Sequence, residues 1–360
     1  MDKNLSAAIT WLRFPIVVMI VMLHCYSVAL DKSVCQEGFF RAVYPFALWL
    51  GETGVPLAFF ISGYLFFASQ KTYKEKLKSR FHSLFVPYMF WNSLILLVYV
   101  VLMWLGHPLE IARKSIADYT WLDYLNAYWI RGKIQGGNGV PLLCPYWFIR
   151  NLMILCVISP IIYYGIKKAW YLVLLLLTAW WISIPHNAMI PSSLLFFSLG
   201  ATFAIRHQNL VEWISRKSCI IIIAWTITSF FDIFLHWFYI GGAFYFHRMA
   251  LVMNIFKMIW LANRITMGEI SSQMQFLSQS SFWIFTVHYP LVVFFREVSF
   301  IDFSSYSSLC QTVLYSVFIV IILVISILIF CLMNMSCSAF VRFSTGNRHR
   351  QFEPFWCVDN

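Results

Sequence analysis

LRFPIVVMIVMLHC, residues 12–25, carries an arginine near one end and a histidine near the other, with an apolar run between them. The run is long enough, with its flanks, to read as a membrane helix. Arg13 and His24 are eleven residues apart, about 1100° of helical rotation, or about 20° beyond three full turns. Both lie on one face, about 16 Å apart along the axis. A charge at the centre of a bilayer costs about 2.5–3.5 kcal/mol on insertion scales, so such residues are functional candidates. Taken alone, the pair fits a snorkelling Arg13 and a helix-packing His24 at least as well as it fits chemistry.

The rest of the chain places that helix among others. Of 360 residues, 61% are hydrophobic and 11% charged, and the mean hydropathy is +0.73. A soluble domain averages about 25% charged residues, and this chain has too little polar surface to cover one soluble core. The composition predicts an all-α, polytopic membrane bundle. Ten spans of about 20 residues are expected near 7–30, 44–68, 84–105, 147–165, 169–185, 190–206, 218–240, 243–262, 276–298 and 310–333. With the N-terminus inside, fifteen Lys and Arg fall in cytoplasmic segments and seven in external ones, so both termini are expected in the cytoplasm. The same rule accounts for the net charge of +11 and removes the case for nucleic-acid binding. The first apolar run lacks a small-residue cleavage site and reads as a retained helix.

The longest loop, about 106–146, falls outside. Its segment ADYTWLDYLNAYWI, 117–130, is amphipathic and aromatic, which suits a helix lying at the outer interface. GKIQGGNGVP, 132–141, has no Gly-Lys-Ser/Thr and is no phosphate loop; it either closes over an external site or is simply flexible. None of the nine cysteines forms a CxxC pair, so no metal site is expected. Cys35, Cys144 and Cys310 fall in or near external loops, leaving room for a disulfide between two of them. No internal repeat is apparent, which disfavours a transporter of duplicated halves.

Several other polar residues fall within or beside spans. Glu52 and Arg150, in PYWFIRN, lie at a depth comparable to His24. A carboxylate would orient an imidazole, and an arginine would hold an anion or a developing oxyanion. A structural ion pair for Glu52 and an interfacial anchor for Arg150 are the plainer readings. His288 lies mid-span in SFWIFTVHYPLV, 281–292, where Pro290 removes a helix hydrogen bond; it reads as a packing histidine or a functional one. Asp232, His236 and Lys257 are buried candidates without an evident role. KTYKEKLKSRFHSLFVPY, 71–88, is a polybasic cytoplasmic segment that suits anionic lipid or a nucleotide-bearing ligand.

These segments together resemble the acyltransferase-3 family of integral membrane acyltransferases. The arginine, ten residues and histidine of the first helix look like its signature. GVPLAFFISGYLFF (54–67), KSRFHSLFVPYMFWN (78–92), YWFIRNLM (146–153) and SFWIFTVHYPLV (281–292) resemble its later blocks, in family order. The resemblance implies a transmembrane domain over 1–340 with a short cytoplasmic tail at 341–360. It implies transfer of an acyl group, usually acetyl, from cytosolic acyl-coenzyme A to a hydroxyl of a cell-envelope or exported glycan, or of a lipid-linked saccharide, at a bacterial inner membrane. His24 would be the acid/base centre and Arg13 its coupled partner, with Glu52, Arg150 and His288 as further catalytic candidates. Lys78, Arg80 and His82 would help hold the coenzyme, although the family motif is often richer in arginine. Relatives often carry an acidic residue where this chain has Asn151. No GxSxG elbow or complete triad is evident, so direct transfer and an acyl-enzyme both stay open. The alternatives are a transporter or lipid-linked glycan flippase, and a sensor or assembly scaffold on the same fold.

Overall fold

The computed structural model describes residues 2–29, 37–106, 110–111, 114–130, 139–184, 189–298 and 305–347. The described chain is α-helical apart from one short hairpin. The helices are α1 (Lys3–Ala29), α2 (Glu37–Tyr44), α3 (Gly54–Ala68), α4 (Tyr73–Arg80), α5 (Val86–Trp104), α6 (Trp121–Ala127) and α7 (Trp147–Val157). They continue as α8 (Ser159–Ser183), α9 (Met189–Ile205), α10 (Leu210–Arg216), α11 (Ser218–Trp237), α12 (Ala243–Thr266), α13 (Ser272–Val298), α14 (Ser308–Ser336) and α15 (Ser338–Ser344). In the hairpin, β1 (Glu110–Ile111) pairs antiparallel with β2 (Lys114–Ser115), Glu110 opposite Ser115.

Among the described residues, six helical stretches are long and apolar enough to cross a bilayer, or seven if α9 and α10, bent by 99°, count as one. The ten segments expected from the sequence are nevertheless helical over most of their lengths. Three differences are local. The expected span 147–165 is divided, because α7 stops at Val157 and α8 starts with Pro160 in its first turn, where its missing N–H does no harm. The expected break near 165–169 is a kink at Ala169, whose φ of −153° and ψ of 59° lie outside the helical region. The expected span 44–68 is wound three ways: α2 gives way to a π-helix at Pro45–Leu50, a 3₁₀ turn at Gly51–Thr53, and then α3.

Polarity runs inside out relative to a soluble protein. Helices α8, α11 and α14 turn Ile161, Leu175, Ile223, Leu309 and Leu332 outwards. The polar side chains Ser280, Thr286, His288, Gln311 and Ser326 are fully buried. That is the arrangement a lipid solvent selects, since polar groups find partners only inside the bundle. Helix α1 is central and packs against α3, α12, α13 and α14. From Leu5 to Tyr26 every residue of α1 is buried or half-buried except Arg13.

Close backbone contact fixes part of this frame. A Cβ at Gly63 of α3 would lie 2.0 Å from the Phe197 carbonyl oxygen, and one at Gly200 of α9 would lie 1.9 Å from the Phe60 oxygen. The two helices therefore cross glycine against backbone, the small-residue packing favoured in membranes, where apolar burial gives helices little mutual attraction. Helix α15 docks on α5, with the Trp91 indole N–H donating to the Ser344 carbonyl at 2.9 Å.

Candidate active site

Helices α1 and α13 pack side by side and bring His24 and His288 together. Their ring centroids are 5.3 Å apart, tilted by 43°. Tyr289 meets His24 edge-on, also at 5.3 Å between centroids. The His288 Nδ1–H donates to the Ile284 carbonyl one turn earlier, at 3.0 Å. This bond assigns the proton to Nδ1 and leaves Nε2 as the basic nitrogen of the neutral ring. His288 is fully buried, and its Nε2 has no hydrogen-bond partner among the described residues. Helix α13 runs on through Pro290 without ending. Cys144 and Cys310 are both free thiols, so the disulfide with room in the sequence does not join them; Cys35 lies outside the described residues.

Arg13 is exposed on a helix that is otherwise packed on several sides, and it has no hydrogen bond or ion pair among the described residues. It lies three turns from His24 on the same face, as the spacing requires. Two expected members of the site are engaged elsewhere. Glu52 Oε2 accepts from His247 Nε2 at 3.0 Å rather than from His24. Arg150 donates through Nη1 to the carbonyls of Trp129 (2.5 Å) and Gly139 (2.9 Å), and through Nε to Asn151 Oδ1 (3.3 Å). It therefore ties α7 to the connection after α6. Nη2 is the one guanidinium nitrogen of Arg150 without a partner among the described residues.

The connection contains a short helix where its pattern predicts one. Helix α6 starts with a reciprocal Thr120–Asp123 cap, and Lys114 pairs with Asp123 at 2.5 Å. Trp121, Leu122 and Leu125 are exposed, as an interfacial helix requires. The glycine-rich stretch 132–141 lies mostly outside the described residues. The polybasic segment forms α4, capped reciprocally by Thr72 and Glu75, followed by a π-helical turn at Phe81–Phe85. Lys78 and His82 are exposed and Arg80 is half-buried.

A second cluster was not legible as one. The Tyr44 hydroxyl donates to Asp232 Oδ1 at 3.0 Å, and His236 Nδ1 lies 2.9 Å from the same oxygen. His247 bridges Asp232 Oδ2 and Glu52 Oε2, each at 3.0 Å. Both ring nitrogens of His247 therefore face carboxylates, which is the geometry of an imidazolium. The i, i+4 spacing of Asp232 and His236 was a visible signal; His247, fifteen residues from Asp232 and on the next helix, was not. Among the described residues no group of His, Cys, Asp and Glu could hold a metal ion.

Residues 6–335 match the model of an acyltransferase domain, that of the acyltransferase-3 family. The chain is also similar to the succinoglycan biosynthesis protein ExoH of Rhizobium meliloti (strain 1021), 25% identical over 313 residues that cover 82% of this chain and 80% of the relative. No solved structure matches it. With nearly its whole length matched, the chain belongs to the acyltransferase-3 family and is a membrane acyltransferase.

Proposed function

We propose that this acyltransferase moves an acyl group, acetyl as the first candidate, from cytosolic acyl-coenzyme A to a hydroxyl of a cell-envelope or exported polysaccharide. The proposal includes ten membrane crossings, cytoplasmic termini and residence in a bacterial inner membrane. The similarity to a succinoglycan biosynthesis protein supports a polysaccharide acceptor. The observation that carries the reading is the pair of imidazoles 5.3 Å apart inside the bundle, His288 on α13 and His24 on α1, whose same face also carries Arg13.

A sugar hydroxyl is a poor nucleophile near neutral pH. His24 takes its proton as the oxygen attacks the thioester carbonyl carbon, and the C–S bond then breaks. The proton returns to the departing thiolate, giving the ester and free coenzyme A. His288, whose tautomer is fixed by Ile284, keeps a basic nitrogen beside His24 to steady the imidazolium. Arg13 lies toward the cytosolic end of α1 and, with Lys78, Arg80 and His82, attracts the anionic coenzyme. Arg150 holds the external connection in place and keeps Nη2 for a developing oxyanion.

The experiment is acyl transfer by the purified full-length chain. Acetyl-coenzyme A should be consumed only when acceptor polysaccharide is present, and the polysaccharide should gain the mass of acetyl esters. Consumption without transfer to any glycan, or a gene deletion that leaves glycan masses unchanged, would overturn the reading.

A further inference from the structure

Resting on the acyltransferase reading above, we propose that the segment 338–347 is a strap that holds the basic turn at Phe81–Phe85 in its π-helical winding. Gly346 and Trp91 are then positioning residues for the coenzyme contacts of Lys78, Arg80 and His82.

Helix α15 ends in two backbone bonds. The Asn347 N–H donates to the Arg342 carbonyl at 2.7 Å, and the Gly346 N–H to the Phe343 carbonyl at 3.1 Å. Together they form a Schellman stop, with Gly346 at a φ of 71°, in the left-handed region that glycine enters without strain. The missing side chain has a second consequence. A Cβ at Gly346 would lie 2.7 Å from Ser83 Cα, and 2.9 Å from the carbonyl oxygens of both His82 and Ser83. The two backbones therefore touch inside the π-helical turn, and any side chain at 346 forces them apart. Ser344 and Thr345, just before the glycine, are fully buried. The strap is fastened to α5 by the Trp91 indole N–H, which donates to the Ser344 carbonyl at 2.9 Å. Phe340 and Phe343 meet Phe90 edge-on, with centroids 5.6 and 5.4 Å away, and Trp283 of α13 meets Trp91 at 5.6 Å.

What the strap holds decides where the basic side chains sit. The Val86 N–H donates to the Phe81 carbonyl, five residues back rather than four. The turn therefore contains one residue more than an α-helical turn, and one residue is about 100° of rotation. Rewinding it as α-helix would swing α4 by about 100° relative to α5. Lys78 and Arg80 stand in the last turn of α4, and His82 stands in the π turn itself, so all three would be re-aimed together. Such π turns are rare and concentrate at functional sites, because their own hydrogen bonds favour them less than the α form. Support comes here from the flat glycine contact on one side, while α7 also packs on the turn. The contact is to backbone, so Gly346 acts on the coenzyme through the direction of the basic side chains and not by touching it.

The test uses the full-length protein in detergent, with coenzyme A as the probe in equilibrium binding at low salt and amide hydrogen exchange read over 81–86. Gly346→Ala is expected to weaken coenzyme A binding at least about threefold and to speed exchange in the turn, with the binding difference shrinking toward about 1 M salt. In a Lys78→Ala, Arg80→Ala background the same substitution should add less than about 1.5-fold, because the contacts it positions are already gone. Unchanged binding, unchanged exchange, or a full threefold loss in that background would overturn the strap. Where Gly346→Ala fails to fold, Trp91→Phe decides: it keeps an aromatic ring and removes only the N–H to Ser344. Weaker coenzyme A binding with faster exchange upholds the strap, and no change in either overturns it. The two readings also fail separately. If wild type binds no coenzyme A, the coenzyme reading falls, and faster exchange over 81–86 in Gly346→Ala still shows the strap holding the turn. If wild type binds coenzyme A and neither variant weakens it, the strap falls and the function stands.

Discussion

His247→Ala removes the one cation between two carboxylates and tests the buried network directly. Asp232 is fully buried, while Glu52 is partly accessible. Removing one partner of a buried ion pair costs about 3–5 kcal/mol, because a charge is left without compensation. Two features place this case at the lower end. Asp232 keeps Tyr44 and His236 on Oδ1, and Glu52 recovers water. The expected loss is about 3 kcal/mol, roughly a hundredfold in the folded-to-unfolded ratio. The triple variant His247→Ala, Asp232→Asn, Glu52→Gln removes the stranded charges as well and should recover more than half of that loss. The assay is the fraction of monodisperse protein in detergent across a heating series, supported by titration with a denaturing detergent. A loss under about 1 kcal/mol for His247→Ala, or no recovery in the triple variant, would refute an imidazolium clamped by two carboxylates.

Three further outcomes follow from the packing and the charged segment. Gly200→Ala places a methyl group where only 1.9 Å separates it from the Phe60 oxygen, so α3 and α9 must part; a cost of about 1–3 kcal/mol is expected, against almost none for Gly241→Ala, which meets nothing within 4 Å, both read by thermal unfolding in detergent. Lys78→Ala with Arg80→Ala should raise the acyl-coenzyme A KM severalfold at low salt, and the difference should shrink as ionic strength approaches about 1 M, where the Debye length is about 3 Å. Arg150→Ala leaves the Trp129 and Gly139 carbonyls without their charged donor and should destabilise the protein by about 1.5–3 kcal/mol; a neutral result would show that α7 does not tie down the connection after α6.

Much of the architecture is legible in hydropathy alone. The helical segments, the break near Ala169 and the short helix that begins at Trp121 all follow from apolar runs, prolines and caps. The π-helical and 3₁₀ turns at 45–53 do not, because hydropathy reports burial and not how the hydrogen-bond ladder is wound. Nor does it separate peripheral helices from central ones by apolarity in the expected sense. The most apolar, α14, turns Leu309 and Leu332 outward, whereas α13, with several serines, a threonine and a histidine, packs directly on α1. In lipid the polar helix seeks the centre.

The site divides in the same way. Arg13 and His24 are visible from one helix, because eleven residues bring a side chain back to the same face. His288 is visible as a mid-span histidine before a proline, but its placement beside His24 depends on how α1 and α13 meet. Glu52 is visible as a carboxylate within a span; its partner His247 is 195 residues away in sequence, and no spacing rule connects them. Arg150 shows the converse. It looks like a free cation in PYWFIRN, and the structure occupies it with backbone carbonyls from a connection whose path hydropathy does not describe.

The central claim is that His24 handles the proton in acyl transfer. The most direct measurement is the acceptor-dependent release of coenzyme A by purified His24→Gln at protein levels matched to wild type. The account predicts a fall of about 100- to 10,000-fold in rate with acetyl-coenzyme A binding retained, as loss of a general base requires. A His24→Gln protein that transfers acyl groups at the wild-type rate would contradict it.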